Sequence, residues 1–250
     1  MSKHLKKYFA PKSWKITRKD TTYIAKPSPG THKIEHSLPL SVILRDVLKY
    51  ATTKREARHI LNKKNVLVDN IARADHRFPV GLFDVLSFKE IDENFRVVLD
   101  KKGKIAIIKI GKDESKIKPY KIIGKKKIGG KVQLNLSGGK NILADEDKYK
   151  VGDAILLDLE KNNKIQDAIQ LKKDALVYLT GGKHIGQTGK VQQIMGKRIF
   201  YKAEDGEEVE TLKEYAFPVG KDKPLIKLSL THCVEGPLSP AITNVSPGFS

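Results

Sequence analysis

The stretch LPLSVILRDVLKYATTKREARHILNKK, residues 38–64, decides the fold of the N-terminal part because it predicts two short amphipathic helices. In the first helix the apolar residues recur at i, i+3, i+4, i+7 and i+8, which places them on one stripe. Those residues are Leu40, Ile43, Leu44, Val47 and Leu48. A two-residue break, Thr52–Thr53, separates the helices. The stretch therefore predicts a helix pair that buries its apolar side.

The second helix begins at Thr53, and Glu56 follows three residues later in the spacing of a capping box. Its apolar stripe is narrow and consists of Ala57, Ile60 and Leu61. Because each residue turns the helix by about 100°, its cations lie roughly on the opposite side. The cations of the helix and its end are Lys54, Arg55, Arg58, Lys63 and Lys64. A solvated surface helix is the alternative interpretation, and it would be favoured for a lone helix.

The next residues, 65–88, alternate strand and turn signals. Val66–Val68 predicts a strand, and Asp69-Asn70 supplies turn residues. Pro79-Val80-Gly81 interrupts the chain before the apolar run Val85–Phe88. This order of helix, basic helix, strand, turn and strand resembles the alpha-L RNA-binding domain of ribosomal proteins, pseudouridine synthases and some tRNA synthetases. The resemblance implies that the basic side of the second helix contacts structured RNA.

The composition indicates a polyanionic partner. The chain has 250 residues, with 48 Lys and Arg against 29 Asp and Glu, and a formal net charge of +19. Such an excess favours binding to nucleic acid or to an acidic membrane surface. A membrane is the weaker interpretation because no apolar run approaches the roughly 20 residues that span a bilayer. Residues 1–14 carry charge but no apolar core region, so we expect no secretory signal.

Cysteine and histidine usage favours a reducing, cytoplasmic setting without metal or catalysis. Cys233 is the only cysteine, so no intramolecular disulfide can form. The seven histidines are dispersed, and no group has the spacing of metal ligands or of a nucleophile with its base. We therefore expect no cofactor and no small-molecule substrate. His59 and His76 are most simply RNA-proximal or surface residues.

Residues 1–37 form a basic extension with nine Lys or Arg against Asp20 and Glu35. Four aromatic residues lie among these charges, and prolines interrupt any regular element. The segment is too polar for its own core, so we expect it to take a fixed shape only on a partner, as an RNA-threading extension. A flexible basic tail with its aromatic rings packed back on the body is the alternative. The candidate RNA-binding residues are Lys3, Lys6, Lys7, Lys12, Trp14, Lys15 and Arg18.

From residue 94 the pattern changes to short strands, and residues 94–170 predict a compact central β domain. Phe95–Leu99 and Ile105–Ile110 predict a hairpin. Lys125, Lys126 and Lys127 lie in a glycine-flanked lysine loop. A flexible solvated turn is the commoner interpretation of such a loop, and phosphate contact is the second.

The stretch LVYLTGGKHIGQTGKVQQI, residues 176–194, places two apolar strands around a glycine-rich loop. The spacing is not that of a P-loop, and the lack of a following helix excludes a Rossmann phosphate loop as well. It resembles the KOW motif, the glycine-hinged loop of small RNA-binding β-barrels, and a glycine-rich hairpin without ligand is the alternative. The loop residues are Gly181, Gly182, Gly186 and Gly189, with Lys183, His184 and Lys190 as candidate RNA contacts.

The C-terminal part predicts a hairpin around Asp205-Gly206 with an acidic tip that points away from RNA. Leu225–Leu228 predicts a last strand. Residues 231–250 contain no Lys or Arg and show no periodicity, so we expect a disordered tail.

Taken together, the modules resemble the fourth small-subunit ribosomal protein of the e-type series, shared by archaea and eukaryotes. The matching stretches include Ala10–Trp14, Arg55–Arg58, Pro79–Gly81, Lys118-Pro119, Gln133–Leu136, Val151–Asp153 and the glycine loop. The compact length is closer to the archaeal members. The resemblance implies a structural component of the small ribosomal subunit that binds its rRNA beside neighbouring ribosomal proteins. The neutral segment 231–250 departs from the family pattern.

The resemblance implies an α+β, multidomain fold in five parts. These are a basic extension (1–37), an alpha-L helix-pair and β-hairpin domain (38–93), a central β domain (94–170), a KOW-containing SH3-like β-barrel (171–230) and the tail (231–250).

Two other functions were weighed against the ribosomal one. An RNA-modifying enzyme would need a catalytic domain, yet the remaining residues predict short basic β segments. A transcription elongation factor would need a polymerase-binding domain, which the sequence does not suggest, and the basic helix pair argues against it.

Overall fold

A computed structural model describes residues 4–144, 147–160, 164–203, 206–221 and 224–228. The architecture is α+β, with few helices and three five-stranded antiparallel sheets over the described residues. Lys3 and the tail 231–250 lie outside these residues, as do Glu204 and Asp205 of the acidic tip.

The helical region differs in part from its prediction. After β3 (Ser37–Pro39), helix α1 (Leu40–Val42) continues as a π-helical turn, Ile43–Val47, and helix α2 covers Lys54–Asn62. The predicted apolar stripe is confirmed, with four of its five residues buried and Val47 partly buried. The break is longer than two residues because Lys49 takes a φ of 57°, and the amides of Tyr50 and Ala51 both return to the Leu44 carbonyl. This left-handed residue ends the helix well before Thr53.

The first sheet has the strand order β5-β4-β7-β8-β9. Its strands are β4 (Val66–Val68), β5 (Ile71–Ala72), β7 (Val85–Phe88), β8 (Glu93–Leu99) and β9 (Ile105–Ile110), while β6 (Pro79–Gly81) pairs with β3. The predicted turn at Asp69-Asn70 and the β8–β9 hairpin are confirmed. However, β8 also pairs with β7, so residues 93–110 extend the sheet of the helix pair, whereas the sequence assigned 94–110 to the central β domain.

The sheet continues past residue 93 because both of its faces are buried. Phe95 and Val97 belong to the main core, which includes the helix pair, and Val98 and Ile108 pack on the other face with Leu159. Alternating side chains of one strand therefore serve two cores. Burial of both faces produces near-continuous apolar runs, so the strand pattern that suggested a new domain belongs to the same sheet.

The N-terminal extension packs on the body, contrary to the prediction that it takes shape only on a partner. Strands β1 (Leu5–Lys6) and β2 (Tyr23–Ile24) pair with each other, and short 3₁₀ turns cover Lys7–Phe9 and Ile34–His36. Trp14 is 2% exposed within the main core. Since the amide of Ile105 donates to the Ser13 carbonyl at 2.8 Å, the extension is also bonded to the edge of the first sheet.

The middle sheet has the order β12-β11-β10-β13-β14. Its strands are β10 (Ile117–Ile128), β11 (Lys131–Leu136), β12 (Asn141–Ala144), β13 (Ala154–Asp158) and β14 (Lys164–Ile169); the short helix α3 (Lys112–Ser115) precedes them and a 3₁₀ turn covers Ser137–Gly139. The predicted lysine loop is wrong, because residues 125–127 lie in β10 and pair with β11. Only Gly129 and Gly130, with φ of 55° and 81°, turn the chain.

The last sheet has the order β18-β17-β16-β15-β19. Its strands are β15 (Leu176–Leu179), β16 (Thr188–Met195), β17 (Arg198–Ala203), β18 (Glu208–Leu212) and β19 (Ala216–Gly220). The β17–β18 hairpin is confirmed. The predicted strand Leu225–Leu228 is wrong: its apolar pattern reflects the burial of Ile226, which is 3% exposed, and the last strand of the described residues is β19.

Aromatic and cationic side chains join the sheets. The Tyr178 hydroxyl of the last sheet donates to the Leu99 carbonyl at 2.7 Å and accepts from its amide at 2.9 Å. Phe83, between β6 and β7, packs on Tyr178 and Phe217 with ring centroids 5.6 and 4.7 Å apart. The Lys121 ammonium donates to the carbonyls of Lys213, Glu214 and Ala216 at 2.6 to 2.9 Å. These contacts give the basic surfaces a fixed scaffold.

Candidate nucleic-acid interface

The outer face of α2 carries exposed cations, as the sequence predicts. Thr53 caps the helix by accepting from the Glu56 amide at 3.2 Å, and both halves of the capping box are present. Ala57 and Leu61 are completely buried, which fixes the rotation of the helix. Lys54, Arg55 and Arg58 are exposed, as are Lys63 and Lys64 at its end. Because the buried stripe cannot rotate outward, the positive face points to solvent.

The electrostatics of this face show how concentrated its charge is. Among the described residues, neither Lys54 nor Arg55 forms an ion pair with a carboxylate. Arg58 approaches the His76 ring, with 3.3 Å between Nη2 and Nε2. Burial of His76 and the charges of Arg58 and Lys54 lower the pKa of this imidazole. The face therefore presents uncompensated positive charge to any partner that approaches it.

The N-terminal extension uses three of its predicted RNA-binding residues for its own structure. Lys7 is 1% exposed and pairs with Asp20, and the Trp14 indole donates to the Ile34 carbonyl at 3.3 Å. The Arg18 guanidinium donates to the carbonyls of Tyr8, Ala10 and Pro11 at 3.0 to 3.1 Å, with a longer contact to that of Lys7 at 3.5 Å. Each of these three side chains therefore has an intramolecular partner, and its contact with RNA stays a prediction. Lys6, Lys12 and Lys15 remain exposed.

The three consecutive lysines of β10, residues 125–127, are not equivalent. The Lys125 ammonium pairs with Asp147 and donates to the Tyr149 carbonyl at 3.0 Å. Hydrogen bonding from Lys125 and then the charges of Lys125 and Lys127 lower the pKa of Asp147. Lys126 points to the other side of the strand and is exposed. This surface therefore has less uncompensated charge than the face of α2.

The glycine loop between β15 and β16 is shaped by packing. Gly182 and Gly186 have φ of 87° and 80°, which glycine adopts without strain. A Cβ on Gly186 would lie 2.6 Å from the carbonyl carbon of Asp100, so the loop rests against the β8–β9 turn. A Cβ on Gly181 would lie 2.6 Å from the Tyr215 ring, and one on Gly189 would lie 2.6 Å from the Lys202 carbonyl oxygen.

The cationic candidates in and beside this loop lie at the surface, with Lys183 in the loop and Lys190 in β16. Lys183 and Lys190 are exposed, and the His184 ring approaches the Gln187 side chain with 3.2 Å between Nδ1 and Oε1. Lys183 and His184 follow β15 of the last sheet, whereas α2 packs on the first helical segment, so these predicted RNA contacts lie on different elements of the fold.

A buried charged cluster was missed by the sequence predictions. The Lys118 ammonium of β10 pairs with Asp84 and Asp69 of the first sheet, and His32 of the extension lies 3.0 Å from Asp84. Burial opposes the charged form of Asp84, but Lys118 and His32 outweigh it and lower the pKa of this carboxyl to about 2. The Asp84 carboxylate also accepts from the Gly81 amide at 2.8 Å. The cluster therefore joins the extension and two sheets, and Lys118-Pro119 entered the sequence argument only as a matching motif.

Two further features concern metal ligands and membrane-spanning helices. Within the described ranges, no group of three or more His, Cys, Asp or Glu side chains could hold a metal ion. The same part of the chain contains no helix long and apolar enough to cross a bilayer. The fold and its surfaces define a β-rich protein of several sheets that carries exposed cations on different elements.

Comparison with known proteins identifies the family. A sequence profile described as Ribosomal family S4e matches residues 91–164, and one described as the RS4NT (NUC023) domain matches residues 1–35. A protein named small ribosomal subunit protein eS4 from Methanosphaera stadtmanae is 46% identical over 233 residues, covering 90% of this chain and 95% of that protein. Its namesake from Methanococcus aeolicus is 43% identical over 240 residues, covering 90% and 97%.

A solved structure supports the same assignment. The crystal structure of the 30S ribosomal protein S4e from Thermoplasma acidophilum superposes with a TM-score of 0.66 at 29% identity, covering 78% of this chain and 99% of that one. The chain belongs to the ribosomal protein family S4e. Members of this family are structural ribosomal proteins and not enzymes. The matches confirm the predicted family and its archaeal character.

Proposed function

We propose that the chain is a structural constituent of the cytoplasmic small ribosomal subunit, where it binds and stabilises folded rRNA beside neighbouring ribosomal proteins. The observation that carries this proposal is the outer face of α2, where Lys54 and Arg55 are exposed and have no carboxylate partner among the residues that the structure describes. A partner that neutralises such a face must be strongly anionic. RNA phosphates meet this requirement, and release of their counterions makes binding salt-dependent.

The proposed contacts orient the protein on rRNA more than they read the base sequence. Lysine and arginine contacts to phosphates set the register and orientation of a protein on its nucleic acid. Structured RNA is recognised mostly by shape and by its backbone, because the deep major groove admits few side chains. A body whose sheets are joined by Tyr178 and by the Lys118 cluster suits this task, since it holds separate cationic faces at fixed distances.

The modules take the following proposed roles. Residues 38–93, extended by β8 and β9, act as an alpha-L domain that presents α2 to rRNA. Residues 171–230 act as a KOW-containing SH3-like barrel, with Lys183, His184 and Lys190 as secondary contacts. Lys6, Lys12 and Lys15 of the extension and Lys126 and Lys127 of β10 add further phosphate contacts.

Sedimentation of the endogenous protein on a sucrose gradient, followed through a high-salt wash, tests the proposal. We expect stoichiometric co-migration with the small subunit that survives moderate salt, because several cationic faces act together. A free or substoichiometric protein would contradict the structural role and would favour a transient factor.

A further inference from the structure

We propose that Tyr8 and Phe9 form a stacking surface for an unpaired base of rRNA. This inference rests on the proposed function, since it names the contact that the N-terminal extension makes. The sequence predicted Trp14 as an RNA-binding residue, but that ring lies in the core. The extension displays two other rings instead.

The exposure of this pair is unusual for aromatic side chains. Tyr8 is 78% and Phe9 70% exposed, more than the other large hydrophobic residues that are exposed in the described chain. Their rings meet edge to face with centroids 5.6 Å apart. Single exposed apolar residues are common, but an adjacent aromatic pair with most of its surface in water indicates a contact surface.

The backbone beneath the pair is held in place by two cations. Tyr8 and Phe9 lie in the 3₁₀ turn Lys7–Phe9, which begins at the buried, Asp20-paired Lys7. Arg18 donates to the carbonyls of Tyr8 and Ala10, and the Ala10 amide closes the turn on the Lys7 carbonyl at 3.2 Å. The turn is therefore fixed before any partner binds, so stacking on it costs little conformational entropy.

The surroundings of the pair favour RNA over a protein partner. Lys6 and Lys12 flank the turn and are exposed, and Lys6 lies opposite Tyr23 in the β1–β2 pair. Tyr23 is itself 57% exposed. Lysine is depleted from the apolar centre of protein interfaces. Aromatic rings beside lysines are, in contrast, the arrangement that binds unpaired nucleotides, with rings on bases and ammonium groups on phosphates.

Removal of both rings tests the inference in the full-length chain. We expect Y8A/F9A to bind small-subunit rRNA about 5-fold to 150-fold more weakly for each base that stacks on the pair. The slope of log affinity against log salt should not change, because no charge is lost. The variant Y8F/F9Y keeps both rings and should bind as the wild type. The variant I123A/L143A removes two comparably exposed apolar side chains from the middle sheet and should also bind as the wild type.

The outcomes separate this inference from the proposed function. A wild-type chain that fails to bind rRNA overturns both. A wild-type chain that binds, with Y8A/F9A binding equally well, overturns the stacking surface alone. Ultraviolet cross-linking of wild-type subunits is independent of variant folding. An RNA adduct on the peptide with Tyr8 and Phe9 supports the inference, and a cross-link of that peptide to a neighbouring protein in place of RNA overturns it.

Discussion

Helix α2 and the N-terminal extension are both rich in lysine and arginine, yet the cations of α2 are exposed to solvent and two cations of the extension are bonded within the fold. On α2 the charges point to solvent because Ala57 and Leu61 fix the other side in the core. In the extension, Lys7 and Arg18 bind a carboxylate and main-chain carbonyls of the same segment. Positive charge in a sequence therefore divides into charge available to a partner and charge already used by the fold. Removing the first kind should affect binding, and removing the second should affect stability.

Lys118 is a buried cation whose charge is already used by the fold. Its removal should give the largest effect on stability. We expect Lys118→Ala to lower the free energy of unfolding by about 3–5 kcal/mol, because it leaves the Asp84 and Asp69 carboxylates without their buried partner. Urea denaturation measures this change. Lys116→Ala is the matched control, since its ammonium is exposed and lies 3.5 Å from Glu160. A similar loss in both variants would contradict the special role of the buried cluster.

Arg18→Ala should give the next largest loss, about 2–3 kcal/mol, since several carbonyl oxygens of the turn lose a charged donor. Arg18→Lys should restore little of it, because one ammonium cannot reproduce the planar fork of the guanidinium. Thermal unfolding of the three proteins measures the difference. Full stability of Arg18→Ala would mean that the extension does not depend on this residue.

Acid should weaken the charged cluster of His32, Asp84 and Lys118 that joins the extension to the body. The Asp84 pKa of about 2 lies below its ordinary value of 3.8, so the unfolded chain binds more protons between these values. The stabilisation is complete above the ordinary pKa and is lost as pH falls through the folded one, by about 2 kcal/mol in total. The free energy of unfolding, measured from denaturation curves between pH 5 and pH 2, should therefore fall more steeply with decreasing pH for the wild type than for Asp84→Asn. Equal slopes would contradict the assignment.

The smallest effect on stability should come from α2. Arg55→Ala removes an exposed side chain that has no carboxylate partner in the described part of the chain, so the free energy of unfolding should change by less than about 0.5 kcal/mol. Urea denaturation beside Arg18→Ala gives the direct contrast between the two regions. A loss as large as that of Arg18→Ala would show that Arg55 also stabilises the fold.

Local features of the fold could be predicted from the sequence, and features that depend on distant partners could not. The capping box of Thr53 and Glu56 involves residues three apart, so its spacing was sufficient. Lys7 and Arg18 look like any other cations of a basic segment, and only the folded path of the extension brings them to their partners. Leu225–Leu228 shows the converse, because burial of Ile226 in the core produced a strand-like pattern without strand pairing.

The same distinction applies to the candidate interface. The sequence correctly predicted that the cations of α2 lie opposite its buried stripe, since both follow from the helical period. It could not show that the three consecutive lysines 125–127 of β10 differ, because Asp147 approaches Lys125 only in the folded sheet. The binding roles of all these residues stay predictions.

The affinity of an α2 charge-reversal variant for small-subunit rRNA, measured across a range of salt concentrations, tests the central claim most directly. We predict that R55E/R58E binds at least about tenfold more weakly at moderate salt, with its salt slope reduced by about 2 and its thermal stability unchanged. The control K112E/K116E makes the same change in net charge at exposed lysines near Asp92 and Glu160, and should bind nearly as the wild type. Unchanged affinity of R55E/R58E, or an equal loss in both variants, would contradict the assignment of the α2 face as the rRNA-binding surface.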